Sequence, residues 1–262
     1  MRRAPVDELL GLLRSFAVYW RPGRQRGLRS LYAPFVEPGS LVFDVGAHLG
    51  DRTVAFASLG ARVVALEPQP GVARWLRRIA GRKKGVVVLE EAVGAEVGTA
   101  SLAVSRRTPT VSTLSSGWRR RMMERNLGFD GVRWEDEVAV PLTTLDALVA
   151  RFGLPTFCKL DIEGHEAEAL AGLTHPIAGI SFEFVQGGLD IARACVDHLD
   201  ALGPYRFNAV AREERRFRFR PWLGAVELRA WLDAGADGLA FGDVYAKIDT
   251  GTHEAPFPSE ER

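Results

Sequence analysis

A chain of 262 residues is long enough to bury a full apolar core, as one large domain or two small ones. With 47% hydrophobic and 26% charged residues it has the composition of an ordinary globular protein, not of a disordered or low-complexity chain. A net charge of +1 gives no electrostatic reason to expect nucleic acid or anionic membrane as a partner, and two cysteines, Cys158 and Cys195, form neither a metal-ligand spacing nor a disulfide framework.

The first twenty residues begin with two arginines, yet Asp7, Glu8 and Arg14 interrupt any secretory apolar core. No run approaches the roughly 18–20 apolar residues of a bilayer span. Leu9, Leu12, Leu13, Phe16 and Trp20 share one helical face. Residues 1–38 are therefore expected to be a helical extension packed on the rest, closed by the breaker Glu37-Pro38-Gly39-Ser40, in a cytoplasmic protein.

Residues 41–67, LVFDVGAHLGDRTVAFASLGARVVALE, read as strand, turn, helix and strand, with an acid at the tip of each strand. Gly46 and Gly50 allow close approach of a ligand to the backbone. Glu67, about twenty residues past the turn, suits ribose hydroxyls. The dinucleotide fingerprint G-x-G-x-x-G is not met: His48 and Asp51 stand where its second and third glycines would be. Asp44 just before the turn is awkward beside a pyrophosphate and suited to a cation, which favours S-adenosylmethionine, with its sulfonium and ammonium, over NAD(P). A βαβ unit without a ligand is the bland alternative.

A helix over 68–81 and a β-branched strand over 86–90, fit for burial on both faces, come next. Strands at 99–104 and 138–141 flank a polar insert, 105–137, placed as a lid whose Ser112, Thr113 and Ser115 either contact substrate hydroxyls or, as is usual for serine-rich loops, are simply solvated. Thr143 and Thr144 start a helix. A buried strand over 157–161 leads into a helix over 163–173, and a strand over 180–185 into a helix over 191–202. Strands at 206–211 and 241–248 pair antiparallel, and 250–262 is a frayed tail. Alternating strands and helices predict one doubly wound α/β domain over 39–250, with ligands at the carboxyl ends of its strands.

Lys159-Leu160-Asp161-Ile162-Glu163-Gly164-His165-Glu166 sets acids at such an end, and Glu183 ends the next strand. Asp161, Glu163 or His165 is the candidate general base for a hydroxyl under methylation. The acids have two other readings: a hard divalent cation, not assigned as a metal site, and simple helix capping. Lys159, costly to bury alone, is expected to hold Asp161 or Glu163. The alternation of Phe217 and Phe219 with Arg218 and Arg220 suggests a strand with arginines outward, either a solvated edge or an attraction for an anionic substrate.

FDVGAHLGDRT, VVALEPQP, VPLTTLDAL and KLDIEGHEAEALAGL, in that order, resemble the FkbM family of S-adenosylmethionine-dependent methyltransferases over roughly residues 28–248. The resemblance implies a class I methyltransferase (Rossmann-like) α/β fold with a seven-stranded, mostly parallel sheet, and O-methylation of sugars, glycolipids or polyketide-type metabolites. It places Asp44, Gly46, His48 and Gly50 along the methionine part of the cofactor, Glu67 on the ribose, and Glu91 and Ala92 by the adenine. His48 departs from the asparagine common in the family. The expected partner is a small-molecule or glycoconjugate substrate, with no nucleic acid and no membrane span, and the sequence sets no oligomeric state. A non-catalytic cofactor-binding module and a NAD(P)-dependent oxidoreductase are the rival functions.

Overall fold

The computed structural model describes residues 6–125 and 131–249. Two helices, α1 (Val6–Tyr19) and α2 (Arg24–Tyr32), come first, parted by Gly23 in a left-handed turn at φ +81°. β1 (Leu41–Val45), α3 (Asp51–Ser58), β2 (Arg62–Leu66), α4 (Pro70–Ile79) and β3 (Val86–Leu89) follow. A separate three-stranded sheet holds β4 (Ala92–Val93), β5 (Gly98–Val104) and β6 (Asp136–Thr143), in the order β4-β6-β5. Between β5 and β6 the insert carries α5 (Ser116–Arg125). Then come α6 (Leu145–Phe152), capped by the Thr144 hydroxyl as expected, and β7 (Phe157–Leu160). The chain ends through α7 (Glu166–Ala171), β8 (Gly179–Val185), α8 (Leu189–Leu202), β9 (Tyr205–Ala211), α9 (Ala225–Asp233) and β10 (Phe241–Ile248).

The main sheet has seven strands in the order β3-β2-β1-β7-β8-β10-β9. All neighbours are parallel except β10, which is antiparallel to both β8 and β9. This is the class I methyltransferase sheet that the sequence motifs imply. β1 and β7 lie side by side, Asp44 opposite Lys159 and Val45 opposite Leu160. Strand order reverses between them, so the crevice above their carboxyl ends is the natural ligand site.

Period-two alternation sorts the central strands onto two apolar layers. Phe43, Leu160 and Phe182 pack on one side with Leu199 and Leu228; Val42 and Phe157 pack on the other with Tyr32, Phe56 and Tyr245. Each such fully buried side chain is worth about 1.5–3 kcal/mol. Burial on both faces is why β1 and β7 read as near-continuous apolar runs.

Several expectations are revised. β3 is partly exposed, because it is the edge of the sheet and pairs with β2 alone. On α1, Leu12 and Phe16 do pack, against Leu49, Val72 and Trp75, but Leu9 and Leu13 stand 53% and 55% exposed. The helix docks through its smallest positions instead: a Cβ at Gly11 would press on the Arg106 carbonyl, and Ser15 is buried. The helix expected from Glu163 starts at Glu166, because Glu163 and Gly164 turn left-handed at φ +55° and +85°. Residues 212–220 form no strand; Phe217 and Phe219 do point inward while the arginines at 212, 216, 218 and 220 are exposed, but the backbone makes only an isolated bridge, Val210 to Phe217. Helix α9 was not anticipated, although Ala225, Leu228 and Leu232 carry its spacing. The tail from Thr250 lies outside the described residues.

Candidate active site

The turn after β1 is a device for facing backbone and acid toward the crevice. Gly46 and Gly50 take φ +76° and +78°, and His48, at φ +48°, shares the left-handed region. A Cβ at Gly46 would collide with the Asp161 carbonyl, so this glycine lets the β1 turn and the β7 turn touch. Glu67 ties the turn down from β2: its Oε2 accepts from the His48 amide at 3.0 Å and its Oε1 from the Gln69 amide at 2.9 Å. Burial pushes the Glu67 carboxyl up to about 7 against the pull of those amides.

Asp44 is wholly buried; Oδ2 accepts from the Thr53 hydroxyl at 2.5 Å, while Oδ1 has no partner. Both ring nitrogens of His48 are likewise buried without a partner. Burial drives its imidazole down to about 4, so the ring is neutral near pH 7. Buried polar atoms are normally paired, so three orphans in one crevice are the mark of a site completed by a ligand. They fit a cofactor that brings an ammonium and a carboxylate, since a carboxylate oxygen accepts and a neutral imidazole both donates and accepts.

The second turn, after β7, supplies acids. Lys159, 1% exposed, donates to Asp161 at 2.6 Å. Burial alone would raise the Asp161 carboxyl, but Lys159 and Arg52 outweigh it and hold the group below its usual range. Glu163 has the opposite balance: burial, with Asp161 and Glu166 nearby, pushes it well above that range. Glu183 on β8 is raised in the same way, by burial and then by Glu163 and Asp161. One carboxylate oxygen from each of Asp161, Glu163 and Glu183 lies within 4.8 Å of the others. Lys159 already provides Asp161 with a cation.

One cavity joins the two turns. Asp44, Gly46, His48, Glu67, Glu91, Ala92, Asp161, Glu163 and His165 all line it; Gly50 instead packs beneath, against Leu76. His165, the N-cap of α7, is 3.8 Å from Glu168 and does not line the side cavity with Asp161, Glu163 and Glu183. Burial lowers its imidazole, and Glu168 only partly offsets that. The insert roofs the cavity with Pro109, Thr110, Ser112 and Thr113. Its hydroxyls hold protein groups: Ser112 donates to Gln69, Thr113 to the Glu163 carbonyl, and Ser115 accepts from the Trp118 amide. Glu91 is paired with Arg151 at 2.9 Å.

A side cavity adjoins the first; Tyr19, Arg52, Asp161 and Glu163 line both. Glu183, Arg212 and Asp243 complete its walls. Arg212 opens the basic stretch 212–220 that the sequence offered as an attraction for an anionic substrate, whereas sequence reasoning passed over Tyr19, Arg52 and Asp243. Only Arg52, two residues past Gly50, lay inside a motif already in view.

The methyltransferase FkbM domain matches residues 44–200, more than half of the chain. The chain belongs to the FkbM methyltransferase family. FkbM proteins are S-adenosylmethionine-dependent methyltransferases, and the matched span begins at Asp44 and takes in both turns of the cavity. This FkbM chain is also 25% identical over 197 residues to the hexuronic acid methyltransferase AglP of Haloferax volcanii, covering 71% of the chain and 75% of that relative. Among solved structures it is similar to a TehB-like SAM-dependent methyltransferase of Corynebacterium glutamicum (11% identity, 91% and 95% of the two chains, TM-score 0.45). It is similar as well to the precorrin-6y C5,15-methyltransferase of Geobacter metallireducens (11% identity, 86% and 87%, TM-score 0.43). No helix among the described residues is long and apolar enough to cross a membrane.

Proposed function

We propose that this FkbM protein methylates a hydroxyl of a sugar or sugar conjugate. The observation that carries this reading is the single cavity joining Asp44 and His48 to Asp161 and Glu163, with a carboxylate-walled cavity opening beside Glu163. Walls of this kind suit an acceptor with several hydroxyls better than an apolar polyketide. The relative that methylates a hexuronic acid supports a sugar.

Asp44 and His48 would hold the ammonium and carboxylate end of S-adenosylmethionine, with Gly46 and Gly50 shaping the turn, Glu67 the ribose, and Glu91 and Ala92 the adenine. When bound, the donor supplies an electrophilic methyl whose C–S bond breaks as the bond to the acceptor oxygen forms, leaving S-adenosylhomocysteine. Glu163 is assigned the hydroxyl proton. Asp161 is the poorer base because Lys159 holds it ionised, and His165 lies outside the side cavity. Asp161 would instead keep Glu163 oriented and basic.

The test is methyl transfer from labelled donor to a panel of neutral and acidic sugars, followed by mass spectrometry. Glu163→Gln should lower kcat roughly 10²- to 10⁴-fold while leaving S-adenosylhomocysteine affinity within about threefold. Because the Glu163 carboxyl is raised, activity should increase with pH until that group is ionised. Tight cofactor binding with no transfer to any sugar would favour the non-catalytic module.

A further inference from the structure

The side cavity is walled by a mostly buried cation, Arg52, that keeps a hydrogen-bond donor unused. Arg52 comes from the first turn of α3, and its Nε is buried with no hydrogen-bond partner. Its closest carboxylate is Asp51, at 3.8 Å, beyond hydrogen-bonding reach. The contrast with Arg24 is sharp: that guanidinium, 2% exposed against 13% for Arg52, is shared between Asp51 at 2.7 Å and Glu213 at 2.9 Å. A buried guanidinium is costly unless hydrogen-bonded, and its planar fork matches a carboxylate in two-point contact. Arg52 therefore has the chemistry of a residue kept for a ligand anion.

Which ligand supplies the anion follows from the remaining walls. Arg52 stands at the mouth shared by both cavities, next to Tyr19. On the side-cavity flank the lining adds Asp243 and Glu183, Glu213, which is already tied to Arg24, and, at the rim, Arg212, whose φ of +50° turns the chain there. Burial raises the Glu183 and Asp243 carboxyls, Asp243 to about 6. These groups offer hydrogen bonds to hydroxyls with less repulsion of an anion than fully ionised acids would give. The donor's own carboxylate has another set of partners, the orphaned His48 nitrogens across the turn.

We infer that the side cavity is an acceptor site for an acidic sugar, with Arg52 gripping its carboxylate and Arg212 assisting from the rim. This rests on the sugar methyltransferase reading and extends it to a named specificity determinant. Hydroxyls of the same sugar face Glu183 and Asp243, and the one next to Glu163 is the one methylated.

The probes are D-glucuronate and D-glucose, titrated by ligand-observed NMR into protein with and without saturating S-adenosylhomocysteine. S-adenosylhomocysteine affinity is measured separately by calorimetry. Wild type should bind glucuronate at least 10-fold tighter than glucose. Arg52→Gln should erase that preference and keep S-adenosylhomocysteine affinity within about threefold, and Arg212→Gln should erase part of it. Two results overturn the inference. One is equal or absent binding of the two sugars by wild type. The other is a preference that survives in Arg52→Gln while S-adenosylhomocysteine binding falls 10-fold or more, which would assign the guanidinium to the cofactor. Failure of wild type to bind S-adenosylhomocysteine at all would strike the methyltransferase reading instead, and the sugar preference without cofactor would still decide the role of Arg52.

Discussion

The turns that end β1 and β7 are built alike and finished differently. Each carries a non-glycine residue with positive φ, His48 in one and Glu163 in the other, and each has a glycine that the other side of the crevice would not let grow. A Cβ at Gly46 meets the Asp161 carbonyl, and one at Gly164 meets the ring of Trp118. Each is also pinned by a buried glutamate with a carboxyl pushed up to about 7, Glu67 for the first and Glu166 for the second. The difference lies in what the turns present. The first leaves a carboxylate oxygen and an imidazole without partners, a cradle for a charged small molecule. The second presents Glu163, which burial and then the neighbouring Asp161 push well above the usual carboxylate range, a proton acceptor. Shared construction with opposite chemistry is what a two-substrate reaction needs from one sheet edge.

The largest effect should come from breaking the contact between the turns. Gly46→Val places a branched side chain at φ +76° and against the Asp161 carbonyl, so S-adenosylhomocysteine binding should fall more than 100-fold by calorimetry. Asp44→Asn, nearly the same shape, should weaken binding by about 10-fold or more with an unchanged far-ultraviolet spectrum. Normal affinity in both variants would remove the donor from the first turn.

A smaller effect, on stability, should follow from Arg24. This buried guanidinium ties α2 to Asp51 at the start of α3 and to Glu213 after β9, next to Arg212. Arg24→Met leaves Asp51 buried with only Arg52 near it, at 3.8 Å, and should cost about 3 kcal/mol in denaturant unfolding. A loss below about 1 kcal/mol would mean that the extension is not energetically joined to the cofactor turn.

The half of the site proposed for the donor was legible because it is local. Asp44 to Gly50 and Glu67 belong to one contiguous unit, with a spacing that discriminates between nucleoside cofactors. β1 and β2 could be read to the residue because their apolar runs stop sharply at Asp44-Val45 and at Glu67. The side cavity proposed for the acceptor is assembled from α1, α3, β8, β10 and the loop after β9; Glu183 was placed with the β7 acids by strand order, but no local pattern reveals that Tyr19, Arg52 and Asp243 join them. The exposed side of β3 was hidden for a related reason: β-branched residues serve a buried strand and an edge strand equally well, and only sheet order separates the two. Helix α9 carried its apolar spacing openly, but it followed the basic 212–220 stretch and its backbone breaks.

The two pinning glutamates offer the finest test, because they accept differently. Glu166 receives both the Ile162 and the Gly164 amides on the single atom Oε1, at 3.0 and 3.3 Å. Glu67 divides its two amides between its two oxygens. A glutamine carbonyl can replace Oε1 of Glu166, whereas at Glu67 the amide NH₂ must face a backbone N–H as donor against donor. Both native carboxyls are raised from an ordinary 4.5 to about 7, so their favourable contribution is complete below pH 4.5 and is lost as pH rises through 7. Glu166→Gln has no charge to bury, so above pH 8 it should melt higher than wild type, by up to about 3 kcal/mol, and should match it within about 1 kcal/mol near pH 5. Glu67→Gln should lose about 1–3 kcal/mol near pH 5 and weaken S-adenosylhomocysteine as well. Thermal melts of the three proteins at pH 5, 6.5 and 8 separate the cases. Equal behaviour of the two variants would show that the turns are held by packing and not by the atoms these carboxylates offer.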